Sequence, residues 1–335
     1  MPSVSSLGER ALIERVRARA GTPPPWVSLG IGDDAAVLQP ARGTSDVLTA
    51  DTLIDGVHFR RAWTAPQAIG HKALATSLSD LAAMGAAPRG ALLSLALPGD
   101  LPLDDFDAIV DGFVRLGAET GTPLIGGNLT RTPGPLTLDT TAIGAIRPRR
   151  LLTRGGGKAG DELYVTGTLG AAAAGLAMLD GGVARATLAP AEVACVDRYE
   201  RPRAQLRCGT IVGRRQAARA CMDLSDGLAD AAAQIAAASG TGCIVEAERL
   251  PIAEGAASWA TRMSRDPIEL ALSGGEDYEL LFAVSPRGRR KFFGAMKRCA
   301  DVPVTLVGRL TSESGARCQR GDRVVSLSQG FSHFA

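Results

Sequence analysis

The chain runs to 335 residues, 45% hydrophobic and 21% charged, with 37 lysines and arginines against 35 aspartates and glutamates for a formal charge of +2. That length suggests two domains with cores of their own, and the near-neutral balance argues against both an extended disordered chain and an electrostatically driven nucleic-acid binder. Only three histidines occur, none in H-E-x-x-H spacing, so zinc hydrolysis has little support and acid–base or metal chemistry falls to carboxylates.

In chain order, residues 6–20 predict an amphipathic helix on the spacing of Leu7, Leu12, Ile13 and Val16, closed by a turn from Gly21 to Pro25. Asp46 to Asp51 reads as a strand, Pro66 to Met84 as a helix with proline in its first turn, Gly90 to Leu97 as a strand and Leu103 to Thr120 as a helix. Pro123 to Gly127 and Leu136 to Ile146 follow as strands. A basic, proline-bearing punctuation at Arg147 to Arg150 divides the chain into domains 1–147 and 148–335. Past it, the strand Glu162 to Thr166 runs through the turn Gly167 to Gly170 into an alanine-rich helix, Ala171 to Leu179. Strand, glycine turn and helix start form an anion-binding arrangement, although a plain tight turn has the same pattern. That turn fits neither G-x-G-x-x-G nor a Walker motif. The six cysteines lie far apart without a C-x-x-C pair and read as free thiols of a reducing compartment. The first twenty residues have no apolar core before their charges, and no stretch approaches ~18 uncharged apolar residues, so the expectation is a cytoplasmic protein that does not span a membrane.

Five segments carry acids where a solvated charge is least expected. Asp33 and Asp34 sit in the glycine turn Gly30 to Asp34, where an aspartate that bonds its own backbone is the alternative. Thr49 and Asp51 are two apart on a strand, so hydroxyl and carboxylate share a face that would accept a hard cation. Asp55 and His58 follow, readable as a turn acid and a satisfied histidine. Asp80 interrupts an apolar helix, as a ligand or as part of a polar stripe with Ser77. Asp223 and Ser225 read as one strand face, with Asp226 at a helix N-cap position before Leu228 to Ala238. Glu276 and Asp277 follow a Gly-Gly turn that leads into the strand Tyr278 to Phe282. Hard oxygen ligands beside glycine turns point to magnesium and nucleotide phosphate chemistry.

The motifs GIGDDAAVL (Gly30 to Leu38), TADTLIDGVHF (Thr49 to Phe59), SLSDLAAMGAAP (Ser77 to Pro88), LIGGN (Leu124 to Asn128), DLSDGL (Asp223 to Leu228) and LSGGEDYELLF (Leu272 to Phe282) resemble the thiamine-monophosphate kinase family over nearly the whole chain. The resemblance implies an α/β protein with the two-domain fold of aminoimidazole ribonucleotide synthetase. In that fold an N-terminal mixed sheet binds ATP and magnesium and pairs in a homodimer, and a C-terminal α/β sandwich follows. It implies direct, in-line transfer of the γ-phosphoryl group of ATP to thiamine phosphate, with several Mg2+ ions and no covalent intermediate. Carried over by position, Asp34, Thr49, Asp51, Asp80, Asp223 and Asp226 match magnesium ligands, with Asp33 adjacent. Gly127, Asn128, Arg154 and Ser225 match ATP contacts, and His58, Glu276 and Phe331 match contacts to thiamine phosphate. Asp51, Asp80, Asp223 and Arg154 are the residues on which turnover is expected to rest.

Two departures bear on the metal. Asn128 stands where the family often has Asp, which keeps an oxygen ligand but removes a charge, and Ala50 replaces a hydroxyl residue and offers only its carbonyl. The alternatives are another ATP-dependent enzyme of the same superfamily, such as a purine-synthesis cyclase, or a weakened protein that binds nucleotide or thiamine phosphate.

Overall fold

The computed structural model describes residues 2–299 and 302–327. The chain divides into two compact units between Arg147 and Pro148, with Ala82–Ala86 grouping with the second. The first begins with α1 (Glu9–Ala20), shorter than the pattern of 6–20 because Val4–Ser6 forms a separate 3-10 turn and Gly8 is the N-cap. A small antiparallel ribbon of β1 (Val27–Leu29) and β2 (Val37–Leu38) follows.

The main elements of this unit are β3 (Ser45–Ile54), α2 (Pro66–Ala83), β4 (Ala87–Pro98), α3 (Leu103–Thr120), β5 (Leu124–Thr132) and β6 (Thr137–Ile146). The sheet runs β3-β6-β4-β5. β6 is antiparallel to both its neighbours, and β4 and β5 are parallel. Period-two alternation gives the sheet two unlike faces. Leu138, Thr140, Ala142 and Ile146 of β6 and Leu93, Leu95 and Leu97 of β4 are buried on one face, while Leu48 in the middle of β3 is 66% exposed on the other. The buried face is covered by α2, whose Ser77 reaches the carbonyl of Thr140. α2 and α3 cross at van der Waals contact through two glycines: a Cβ at Gly70 would lie 1.8 Å from the carbonyl oxygen of Ile109, and one at Gly112 would lie 2.0 Å from that of Gln67.

The second unit contains β7 (Glu162–Thr166), α4 (Ala171–Asp180), α5 (Pro190–Glu200), α6 (Leu206–Arg215), β8 (Ala220–Asp223), α7 (Leu228–Ala238), β9 (Gly242–Glu246), α8 (Glu254–Arg262), α9 (Pro267–Ser273), β10 (Leu280–Val284), α10 (Arg289–Met296), β11 (Val304–Thr311), β12 (Ala316–Arg320) and β13 (Arg323–Ser326). Its seven strands run β13-β12-β9-β11-β7-β10-β8, antiparallel except for the β12–β9 pair. Both faces of the central strands are buried, which explains their unbroken apolar runs. Leu163, Val165, Met222 and Leu281 pack with Leu228 and Ile235 of α7 on one side. Tyr164, Cys221 and Phe282 pack with Val212 of α6 and Phe292 of α10 on the other.

The strand after the Gly-Gly turn starts at Leu280, two residues later than its apolar run predicts. Glu276 and Tyr278 hold φ of 66° and 51°, a left-handed conformation that no strand residue adopts, so the turn extends through Glu279. All six cysteines are buried and free. Among the described residues no helix is long and apolar enough to cross a membrane.

Candidate active site

The first unit gathers predicted residues in two places. Under the edge strand β3, Thr49 and Asp51 point toward α2, where Ser77 and Asp80 are one turn apart and so share a helix face. The Thr49 hydroxyl donates a short hydrogen bond to Asp80 Oδ2, and the Ser77 hydroxyl donates to Asp51 Oδ2 at 2.7 Å. Asp80 is therefore an oxygen donor facing β3 and no mere surface stripe. Burial raises the Asp51 carboxyl from 3.8 to about 6, the charge of Asp80 adds to this, and the Ser77 hydrogen bond works against it. Ala50 lies between them in β3, its side chain exposed on the opposite face.

That open face borders a cleft of about 1260 Å³ lined by Leu48, Leu92, Ser94 and Thr141 of the sheet, by the turn carrying Asp33 and Asp34, and by Gly127 and Asn128 of β5. Asp34 donates its amide to Asp33 Oδ1 at 2.8 Å, so the local turn bond accounts for one oxygen of Asp33. Gly127 has a packing reason for being glycine: a Cβ there would stand 1.9 Å from the carbonyl oxygen of Leu93. The structure thus places Asp33, Asp34 and Asn128, with the backbone of Gly127, at the cleft, and Thr49, Asp51 and Asp80 against α2.

The loop after β3 is tied at both ends. Ile54 donates its amide to His58 Nδ1 at 3.1 Å, which assigns the proton of the neutral imidazole to Nε2, and Asp55 Oδ1 accepts from the Arg61 amide. Lys72 of α2, with no solvent exposure, donates from Nζ to the His58 carbonyl at 3.0 Å. Sequence reasoning passed over Lys72, and the available signal was a lone cation inside the run Ala68 to Leu78.

In the second unit Asp223 is the last residue of β8, 3% exposed, paired in register with Leu280. Ser225 lies beyond the strand end, so the expected shared strand face does not form; its carbonyl instead accepts the Glu276 amide at 2.7 Å. The N-cap position of α7 is taken by Gly227, at φ 99°, so Asp226 stands one residue before it. Arg154 is exposed, its Nη1 donating to Gln234 Oε1 at 2.6 Å. Phe331 lies outside the described residues.

The turn at Gly167 to Gly170 does receive an anion, and it is the protein's own. Asp277 Oδ2 accepts from the Gly170 amide at 2.6 Å and Oδ1 from the Ala172 amide at 3.0 Å. Burial raises the Asp277 carboxyl to about 7, against the pull of those amides and of Arg198. Among the described residues no three acidic, histidine or cysteine side chains are grouped to hold a metal. The pair Asp51 and Asp80, with the Thr49 and Ser77 hydroxyls, is the oxygen cluster that fits a hard cation.

Comparison with known proteins begins with the two units, since residues 32–146 match the family model for the AIR synthase related protein, N-terminal domain, and residues 158–320 match that for its C-terminal domain. A mixed sheet followed by an α/β sandwich is thus the two-domain fold of the AIR synthase related class. Within that class, the thiamine-monophosphate kinase of Synechococcus elongatus is 38% identical, over 99% of this chain and 98% of the relative. The crystal structure of thiamine-monophosphate kinase from Stenotrophomonas maltophilia superposes with a TM-score of 0.83 at 39% identity, over 93% of this chain and 97% of that one. AaThiL complexed with AMPPCP and TMP superposes at 0.75 with 30% identity, over 96% and 97%. The chain belongs to the thiamine-monophosphate kinase family.

Proposed function

We propose that the chain transfers the γ-phosphoryl group of ATP directly to thiamine phosphate, yielding ADP and thiamine diphosphate, in a magnesium-dependent, in-line step without a covalent intermediate. The relatives supply the substrate class by name, and AaThiL was solved with AMPPCP and TMP. The observation that carries the chemistry is the Asp51–Asp80 pair, a half-buried acidic site held by hydroxyls from the facing element.

Magnesium binds through one or two carboxylates plus substrate phosphates and waters, and a set made only of oxygens fits it. Thr49, Asp51 and Asp80 would hold one ion beside α2, and Asp34 and Asn128 are the oxygen ligands that a separate ion in the cleft would use; Asp223 and Asp226 are the acids of the second unit. When bound, the ion offsets the negative charge of carboxylates and polyphosphate and stabilises the transferring group. The acceptor oxygen of thiamine phosphate is already anionic near pH 7, so no side chain has to act as a strong base. The residues' task reduces to holding two anions in line. Arg154 supplies a charged donor for phosphate, Gly127 and Ser225 contact nucleotide, and His58, with its proton on Nε2, donates to the acceptor phosphate while Glu276 faces the cationic ring system. Leu48, Leu92 and Ile143 together form an apolar stripe on the open face of the first sheet, which supports pairing of two such sheets in a homodimer.

A coupled assay of ADP release with magnesium, ATP and thiamine phosphate, with the product identified by chromatography, tests this reading. The expected outcome is ADP and thiamine diphosphate in equal amounts. ADP release that ignores thiamine phosphate overturns it.

A further inference from the structure

We infer that Asp277 is a positioning residue: its carboxylate, locked on the N-terminus of α4, holds Glu276 in the strained backbone conformation from which it meets the substrate. The inference rests on the reading of Glu276 as a thiamine phosphate contact. Glu276 and Tyr278 both have left-handed φ, 66° and 51°, with no glycine to relieve them, and such conformations persist only where the surroundings over-determine them.

The surroundings do so through residues that alternate in direction along the turn. Glu276 and Tyr278 face the loop after β8, their amides donating to the carbonyls of Ser225 at 2.7 Å and Leu224 at 3.2 Å. Asp277 and Glu279 point into the interior, 1% and 0% exposed. Asp277 takes the Gly170 and Ala172 amides, the donors an α-helix leaves unsatisfied at its start. Glu279 accepts from Thr166 Oγ1 at 2.6 Å, Arg198 Nη1 at 2.8 Å and Gln205 Nε2 at 2.9 Å. Arg198 also donates to the Asp277 carbonyl at 3.3 Å. The glycines of the 167–170 turn make room for this arrangement, since a Cβ at Gly167 would come within 2.1 Å of Glu279 Oε1. The turn that reads as a phosphate cradle is therefore filled from within, and its occupant is the residue next to Glu276. With Asp277 pinned on one side and the Ser225 carbonyl on the other, the Glu276 backbone is fixed at both ends.

Steady-state kinetics of full-length Asp277→Asn test this. Asparagine keeps the shape and one acceptor oxygen but puts an NH2 against an amide donor. The expected result is a KM for thiamine phosphate raised about tenfold, with a smaller change in the KM for ATP, because Asp223 at the end of β8 is held independently by its register with β10. A merely structural role predicts fewer active molecules, a lower apparent kcat, and an unchanged KM, and that result overturns the inference. If Asp277 acts through Glu276, the double variant with Glu276→Gln shows no larger KM than Glu276→Gln alone; additive effects also overturn it. Glu276→Gln with an unchanged KM refutes the substrate-contact reading instead. Should Asp277→Asn not fold, Asp277→Glu keeps the charge but lengthens the side chain against the Gly170 and Ala172 amides, with the same rise expected and an unchanged KM equally fatal.

Discussion

Replacing Asp51 by asparagine removes a half-buried negative charge while leaving an oxygen to accept the Ser77 hydrogen bond, and the structure predicts opposite effects on stability and turnover. A carboxyl whose pKa moves from 3.8 to about 6 has its ionised form disfavoured in the folded state. At 1.36 kcal/mol per pH unit that amounts to about 3 kcal/mol. Because the folded pKa is the higher one, the folded state binds the proton more tightly; the contribution to stability is complete below about pH 4 and is lost as pH rises through about 6. Metal-free wild type therefore loses about 3 kcal/mol from this group between pH 4 and pH 8, and Asp51→Asn, neutral throughout, does not. Thermal melts in EDTA should coincide near pH 4, and at pH 8 the variant should melt higher by about 10 °C. Magnesium at pH 8 should raise the wild-type melting temperature and not that of the variant, whose turnover should fall about 100-fold or more. A variant that melts at or below wild type at pH 8 without metal refutes the view that Asp51 and Asp80 are held together at a cost which a cation offsets.

Lys72→Met should loosen the loop of His58 locally, lowering hydrogen-exchange protection of the Gly56 and His58 amides by about tenfold, or about 1.4 kcal/mol, while the global melt moves little; unchanged protection would show that the Lys72–His58 carbonyl bond does not hold the loop. Gly70→Ala should destabilise the first unit by about 3 kcal/mol in urea unfolding, because the new methyl has no room beside the Ile109 carbonyl unless α2 and α3 separate. A near-neutral result would mean that this crossing is loosely packed.

The local signals were legible where the physics is local. α3 occupies Leu103–Thr120 and α7 Leu228–Ala238, as their apolar patterns predict, since one-sided periodicity and bounding turns act within a few residues. The alternation of β3 correctly put Thr49 and Asp51 on one face. It could not show that this face meets Ser77 and Asp80, nor that Asp33 and Asn128 lie at the cleft, because those are consequences of how α2 and β5 pack.

Sequence alone determined the family and the clustering of acids, hydroxyls and glycines in five short segments, since these depend on residue types and order. The tertiary structure decided which acids meet and which are taken up inside the fold. Asp226 stands one residue before the cap position its sequence suggests, while Asp277 has the look of a second site acid and caps a helix more than a hundred residues earlier. A carboxylate's role is set by what desolvates it and what donates to it, and both come from partners distant in the chain.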